Sequence, residues 1–313
     1  MTVGRSSAAP APLALVSRAE VLWRFSRPHT VIGTTVSVLG LFAIAAVALP
    51  GPTAGQAVVH LTFTVLAGLA VNVFIVGLNQ ITDVEIDRVN KPDLPVAAGD
   101  LSSRAATGIV AAAGALPVLL ALTQGLTELA FVLAGLLVGA AYSLPPLRLK
   151  RFATAASLSI SGVRALVVNL GVYLHFALAF SGEASVAPAV WALTVVVVPF
   201  AFAIAILKDV PDIVGDRRYA IATFSVRLGP QRVTRLGMGA LTVALAGMAL
   251  LAPLVVDGLD PLTLAAGHLV ALAWLWLPGA RQARSDFPAF YMNVWRLFFA
   301  ENAIVAAAAL AGA

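Results

Sequence analysis

With 313 residues, 60% of them apolar and 11% charged, and a mean hydropathy of +0.94, this chain is too apolar to be a soluble globular protein. It contains no cysteine, which excludes disulfides, thiolate catalysis and cysteine-based metal sites. The net charge of +5 does not point to nucleic acid, because the basic residues lie in connectors between apolar blocks, where they set membrane orientation and meet anionic head groups or substrates.

Residues 1–18 are rich in small residues and proline and read as a disordered tail, leaving 19–313 as one membrane domain. The run 31–49, followed by Pro50–Gly51, is long for the core of a signal peptide and sits behind a basic segment, so it reads as the first span. Apolar blocks close to the roughly 20 residues needed to cross a bilayer predict an all-α bundle of nine spans. They fall at 22–49, 57–82, 102–123, 127–144, 154–180, 187–208, 232–253, 260–279 and 289–311. The connectors alternate in charge. Arg5, Arg18, Arg24 and Arg27 precede the first span; Arg88, Lys91 and Arg104 follow the second; Arg148, Lys150 and Arg151 follow the fourth. Lys208, Arg217 and Arg218 follow the sixth, and Arg281 and Arg284 the eighth, whereas connectors 50–56, 124–127, 181–188 and 256–261 have no Lys or Arg. The positive-inside rule therefore places the N-terminus in the cytoplasm (or stroma) and the C-terminus on the opposite side.

Both acidic motifs fall on the basic side. Asn79, Asp83 and Asp87 end the second apolar block at intervals of four, which stacks three oxygen-bearing side chains along one helical stripe. Asp209, Asp212 and Asp216 follow the sixth block at i, i+3, i+7, with Pro211 forcing the helix to break and restart near Val210. Asp83 and Asp212 have the same separation as Asp87 and Asp216, so the two motifs read as one site seen twice. Carboxylates stacked in this way repel, and a hard divalent cation with oxygen ligands relieves them. Arg88, Lys91, Lys150, Lys208, Arg217 and Arg218 flank the motifs, an excess of positive charge that suits a polyphosphate better than a simple cation. A diphosphate attached to a lipid explains why such a site stands on a membrane bundle. The class rival is a cation-coupled transporter, which calls for acids near the bilayer midplane rather than gathered at one face.

The two motifs resemble the paired aspartate-rich motifs of the UbiA superfamily of intramembrane aromatic prenyltransferases. Within it, NQITDVEIDRVNKPDLPVAAGDLS (79–102), KDVPDIVGDRRYAIATFSVRLG (208–229) and RALVVNLGVYLHF (164–176) are similar to the homogentisate phytyl- and prenyltransferases more than to the chlorophyll-synthase-like branch. The resemblance runs from about Arg24 to the C-terminus. It implies a central cavity opening near the cytoplasmic side, with Asn79, Asp83, Asp87, Asp209, Asp212 and Asp216 binding Mg²⁺–diphosphate and Asp83, Asp87, Asp212 and Asp216 as the catalytic carboxylates. It also implies transfer of a phytyl or geranylgeranyl group to homogentisate with loss of CO₂, in tocopherol or prenylquinone formation. Tyr142 and Lys150 lie where many members have a Tyr and Lys four residues apart, here separated by eight, and Gln80 stands where an Asp is usual. Arg24 and Arg27 match a basic pair that lies near the aromatic acceptor in relatives.

One cation has left the connectors. Arg164 lies inside the fifth span with Ser157, Ser159, Ser161, Asn169 and His175, and an ionisable group there faces a cavity or a partner. Arg164 and Asn169 are thus candidates for binding an acceptor carboxylate, while Glu301 in the ninth span is the competing partner for Arg164. His175, near the outer end of the fifth span, reads as an interfacial residue.

Overall fold

The computed structural model describes residues 17–313. The tail expected over 1–18 lies outside them except for Ser17 and Arg18, which belong to a short helix, Arg18–Phe25, capped by the Ser17 hydroxyl accepting from the Glu20 amide at 3.2 Å. Among the described residues, nine helices are long and apolar enough to cross a membrane: Pro28–Ala48, Ala54–Thr82, Ser103–Gln124, Leu126–Ser143, Ala153–Ser181, Pro188–Leu207, Pro230–Leu250, Pro261–Ser285 and Phe287–Gly312. They are called the first to ninth spans below.

The first span begins at Pro28, not at 22. Arg27 adopts a left-handed backbone (φ 53°) and Pro28 supplies no amide hydrogen, so the chain turns between the short helix and the span. Buried Gln80 fixes that corner, its amide donating to the Phe25 carbonyl at 2.8 Å. The residue that stands where an aspartate is usual therefore ties the second span to the short helix. Close by, Gly77 admits the Phe25 ring and Val110: a Cβ at 77 would lie 2.7 Å from an atom of each. The eighth span runs on to Ser285 instead of stopping at 279, because wider turns over Leu275–Gly279 absorb Pro278 without ending the helix.

The spans close into a ring. The second packs on the first, third and fourth, the fifth joins the fourth to the sixth, and the seventh, eighth and ninth return to the first. The sixth is the central post, with 67% of its most apolar window buried against 28% for the second, third, fourth and eighth. The outward faces stay apolar: Leu119, Leu137, Val195 and Val243 are between 62% and 74% exposed. Such a belt belongs against lipid. The connectors carrying the acidic motifs gather at one end, where the Ala222 amide donates to the Arg151 carbonyl at 3.1 Å and ties the sixth-to-seventh connector to the fourth-to-fifth.

Candidate functional site

The second span ends at Thr82, and a short helix, Val84–Asn90, continues it after a break at Asp83. The Asp87 amide still donates to the Asp83 carbonyl at 2.7 Å, so the expected stripe survives with a kink. The second motif is not one helical face. The sixth span stops at Leu207, a turn runs through Pro211, and Asp212 begins a new short helix, Ile213–Arg218. The restart falls just after Pro211, because proline can open a helix but cannot donate within one.

The turn brings all six motif residues to the wall of one chamber of about 510 Å³. A single water needs only about 10–15 Å³ of such volume, so the chamber has room for a ligand far larger than one water. Asp83 receives Asn79 Nδ2 at 2.9 Å, Arg148 Nη2 at 3.1 Å and Lys150 Nζ at 2.7 Å. Lys91 reaches across the chamber to Asp212, and Lys208 holds Asp209 at 2.5 Å. Asn90 and Thr223 join the motifs: Asn90 accepts from the Gly215 amide at 2.8 Å and donates to Asp216 at 3.5 Å, while Thr223 donates to Asp216 at 3.2 Å.

Burial dominates the electrostatics of the chamber's carboxylates. Burial raises Asp87 to about 6 against the opposing pull of Arg27 and Lys91, and burial with Asp209 and Asp212 nearby raises Asp216 to about 7. Asp209 is also raised by burial, although Lys208 opposes the shift. Burial lowers Lys150 more than Asp83 restores it, whereas at Lys208 the burial penalty is outweighed by Asp209 and its neighbours, which lift it well above its ordinary value. Asp87 Oδ2 and Asp212 Oδ1 are buried with no hydrogen-bond partner among the described residues. Those two oxygens, in an all-oxygen donor set, fit Mg²⁺. Among the described residues no three of His, Cys, Asp and Glu converge as a ready ion cage. Mg²⁺ does not demand one, since it is commonly held by one or two carboxylates together with substrate phosphate oxygens and water.

A second, mainly apolar cavity continues the chamber into the bundle, and the two share Arg27, His29, Asn79, Tyr142, Lys208 and Tyr291 as common walls. Arg164 lines the apolar cavity from a stretch of the fifth span wound in wide π turns, Val163–Gly171, a geometry common at functional sites. Its guanidinium lies 4.6 Å from the Trp295 ring centroid and 5.3 Å from that of Phe298. Glu301 is not its partner: His268 Nε2 holds that carboxylate at 3.0 Å. Among the described residues Arg164 has no ion pair.

Three expected substrate-binding residues stand differently. Arg24 lines the chamber mouth, but Asp100 takes its guanidinium at 3.0 Å, together with the Asp93 carbonyl. Arg88 is exposed, paired with Glu85 at 2.6 Å, and lines neither cavity. Asn169 is buried off the cavity wall. Sequence reasoning missed Asn90, Arg148, Tyr291 and Trp295. Asn90 and Arg148 had a signal, since Asn90 prolongs the 83/87 stripe by three residues and Arg148 shares the basic connector of Lys150; Tyr291 and Trp295 are brought in only by the packing of distant spans.

The UbiA prenyltransferase family model matches residues 36–297. Homogentisate phytyltransferase of Synechocystis sp. is 40% identical over 90% of this chain and 93% of its own length. From Arabidopsis thaliana, chloroplastic homogentisate phytyltransferase 1 is 36% identical over 90% of this chain and 73% of that protein, and chloroplastic homogentisate solanesyltransferase is 37% identical over 89% and 74%. Among solved structures, a UbiA homolog from Aeropyrum pernix K1 superposes with a TM-score of 0.63 at 20% identity, covering 91% of this chain and 98% of that one. A UbiA homolog from Archaeoglobus fulgidus bound to GPP and Mg²⁺ gives 0.61 at 17% identity, over 92% and 99%. These neighbours share the fold.

Proposed function

The chain belongs to the UbiA prenyltransferase family, and from that premise we propose that it transfers a prenyl group of the phytyl or geranylgeranyl class from its diphosphate to homogentisate, with loss of CO₂. The observation that carries this reading is the pair of joined cavities. A chamber walled by the five motif aspartates and their lysines opens directly into an apolar cavity in which one arginine stands over aromatic rings. A diphosphate, a hydrocarbon tail and an aromatic acid each find a matching wall.

Asn79, Asp83, Asp87, Asp209, Asp212 and Asp216 would hold Mg²⁺ and, through it, the diphosphate. When bound, Mg²⁺ supplies the positive charge that stabilises the departing diphosphate. Lys91, Lys150, Lys208 and Arg148 now neutralise carboxylates, and in the loaded site they would turn to the phosphate oxygens. Tyr142 lies in the wall common to both cavities and would stand where the polar head meets the tail. The allylic C1–O bond breaks, its electron pair leaving with the diphosphate. The electron-rich acceptor ring then forms the new C–C bond to C1 and loses its ring proton. The acetate carboxyl departs as CO₂, and the methylene carbon takes up a proton in its place. Apolar walls keep water from the allylic cation. No nucleophilic side chain is called for.

Arg164 is the proposed seat of the homogentisate carboxylate, with Trp295 and Tyr291 flanking the ring and Arg27 nearby on the wall. We also propose that the acidic end is cytoplasmic, because every basic connector lies there. Membranes containing the protein, supplied with homogentisate and a phytyl or geranylgeranyl diphosphate, should yield a decarboxylated prenyl quinol by mass. Absence of any prenylated product from homogentisate would overturn the reading.

A further inference from the structure

The apolar cavity ends, away from the aspartates, in polar residues that the reaction does not use. Glu128, 5% exposed, lines the cavity wall with Thr64 beside it. Its Oε2 lies 3.7 Å from His175 Nδ1, and His175 Nε2 lies 3.2 Å from His60 Nδ1. Contrary to its reading as an interfacial residue, His175 is 2% exposed. The three side chains come from the fourth, fifth and second spans and so tie the bundle together across the far end of the cavity. Ionisable side chains are expensive inside a membrane bundle and are retained there for a purpose.

We propose that this Glu128–His175–His60 strap is the floor of the prenyl-tail channel and limits the donor to about four isoprene units, a proposal that rests on the prenyl-transfer reading above. Along the second span, Asn79 at the polar end and Thr64 at the floor are 15 residues apart, or about 22 Å at 1.5 Å per residue. Along the fourth, Tyr142 and Glu128 give about 21 Å by the same rise. With carbon–carbon bonds near 1.5 Å, an extended four-bond isoprene unit advances about 5 Å, so four units span about 20 Å and nine about 45 Å. A tail of four units reaches the floor. A longer one that keeps to the cavity axis meets the buried Glu128 carboxylate and the hydrogen-bonded His175–His60 pair, and passing them costs that pair its contact and discriminates against the donor.

The test uses the full-length protein in membranes with homogentisate and all-trans donors of two, four and nine units, alongside Mg²⁺-dependent donor binding measured without acceptor. Glu128→Ala combined with His175→Ala should raise the nine-unit to four-unit ratio of kcat/KM at least tenfold and leave two-unit turnover within about twofold. Thr64→Phe, which raises the floor, should move preference the other way, towards two units. Unchanged ratios in both variants would overturn the proposal. So would loss of two-unit turnover and binding in both, since the strap would then be only a structural tie. Donor binding that follows chain length as described, with no homogentisate product from any donor, would sink the acceptor reading and leave the length gauge standing.

Discussion

Asn90 occupies the space in front of Gly215: its Oδ1 accepts from the Gly215 amide at 2.8 Å, and a Cβ at 215 would sit 2.3 Å from that oxygen. One glycine thus lets the first acidic motif's helix dock against the second, with Asn90 also reaching Asp216 at 3.5 Å. Gly215→Ala should push Asn90 away and lose both contacts. At about 0.5–1.5 kcal/mol per net hydrogen bond, the roughly 1–3 kcal/mol involved corresponds to about a 5- to 150-fold loss of turnover. A kinetic double-mutant cycle checks the cause. Because Asn90→Ala removes the obstructing amide, the double variant should be no slower than Asn90→Ala alone. Additive losses would show that the two residues act separately.

Asp87 Oδ2 and Asp212 Oδ1 are unpartnered among the described residues, in a chamber where lysines hold Asp83 and Asp209, and Asn90 and Thr223 hold Asp216. Turnover should vanish in excess chelator and return with added Mg²⁺ or Mn²⁺. Asp83→Ala or Asp212→Ala should cost roughly 100- to 1,000-fold, the range for removing one stabiliser of developing negative charge, while membrane insertion is retained. Full turnover in chelator would exclude a divalent ion at this site.

Much of this site was legible because charge leaves a one-dimensional trace. Aspartates at intervals of three and four after an apolar block, and basic residues confined to alternate connectors, need no tertiary information to be read. What stayed hidden depended on packing between distant spans. Arg24 has the same local context as Arg27, yet only the fold supplies Asp100 to occupy it. Arg164 and Glu301 look like natural partners as two ionisable residues within spans. His268, on the eighth span, takes the carboxylate instead and leaves the guanidinium to the cavity. The break between Phe25 and Pro28 was partly visible in Pro28, but its left-handed corner at Arg27 depends on Gln80 bonding to Phe25 from another span.

The orientation proposed from the basic connectors has a direct check. With nine spans among the described residues and the acidic end cytoplasmic, a reporter fused after Ala313 should read as outside the cytoplasm, and one inserted in connector 83–101 as cytoplasmic. A cytoplasmic reading after Ala313 would contradict either the span count or the orientation.

Arg164 is the sharpest test of the acceptor. It stands over Trp295 at 4.6 Å with no ion pair among the described residues, so a carboxylate entering the cavity meets an unclaimed guanidinium. A charged hydrogen bond of this kind contributes about 1.5–3 kcal/mol. Arg164→Gln should therefore raise the KM for homogentisate roughly 10- to 150-fold at 1.4 kcal/mol per decade. The KM for the prenyl diphosphate should hardly change, because the proposed seat of that substrate is the aspartate chamber. Arg164→Lys keeps the charge but loses the planar two-pronged donor, so it should recover only part of the loss. Because Glu301 is already satisfied by His268, removing the arginine strands no buried carboxylate, and the variant should insert and fold normally. Equal rises in both KM values would mean that Arg164 shapes the cavity as a whole. An unchanged KM for homogentisate would move the carboxylate's anchor to another residue.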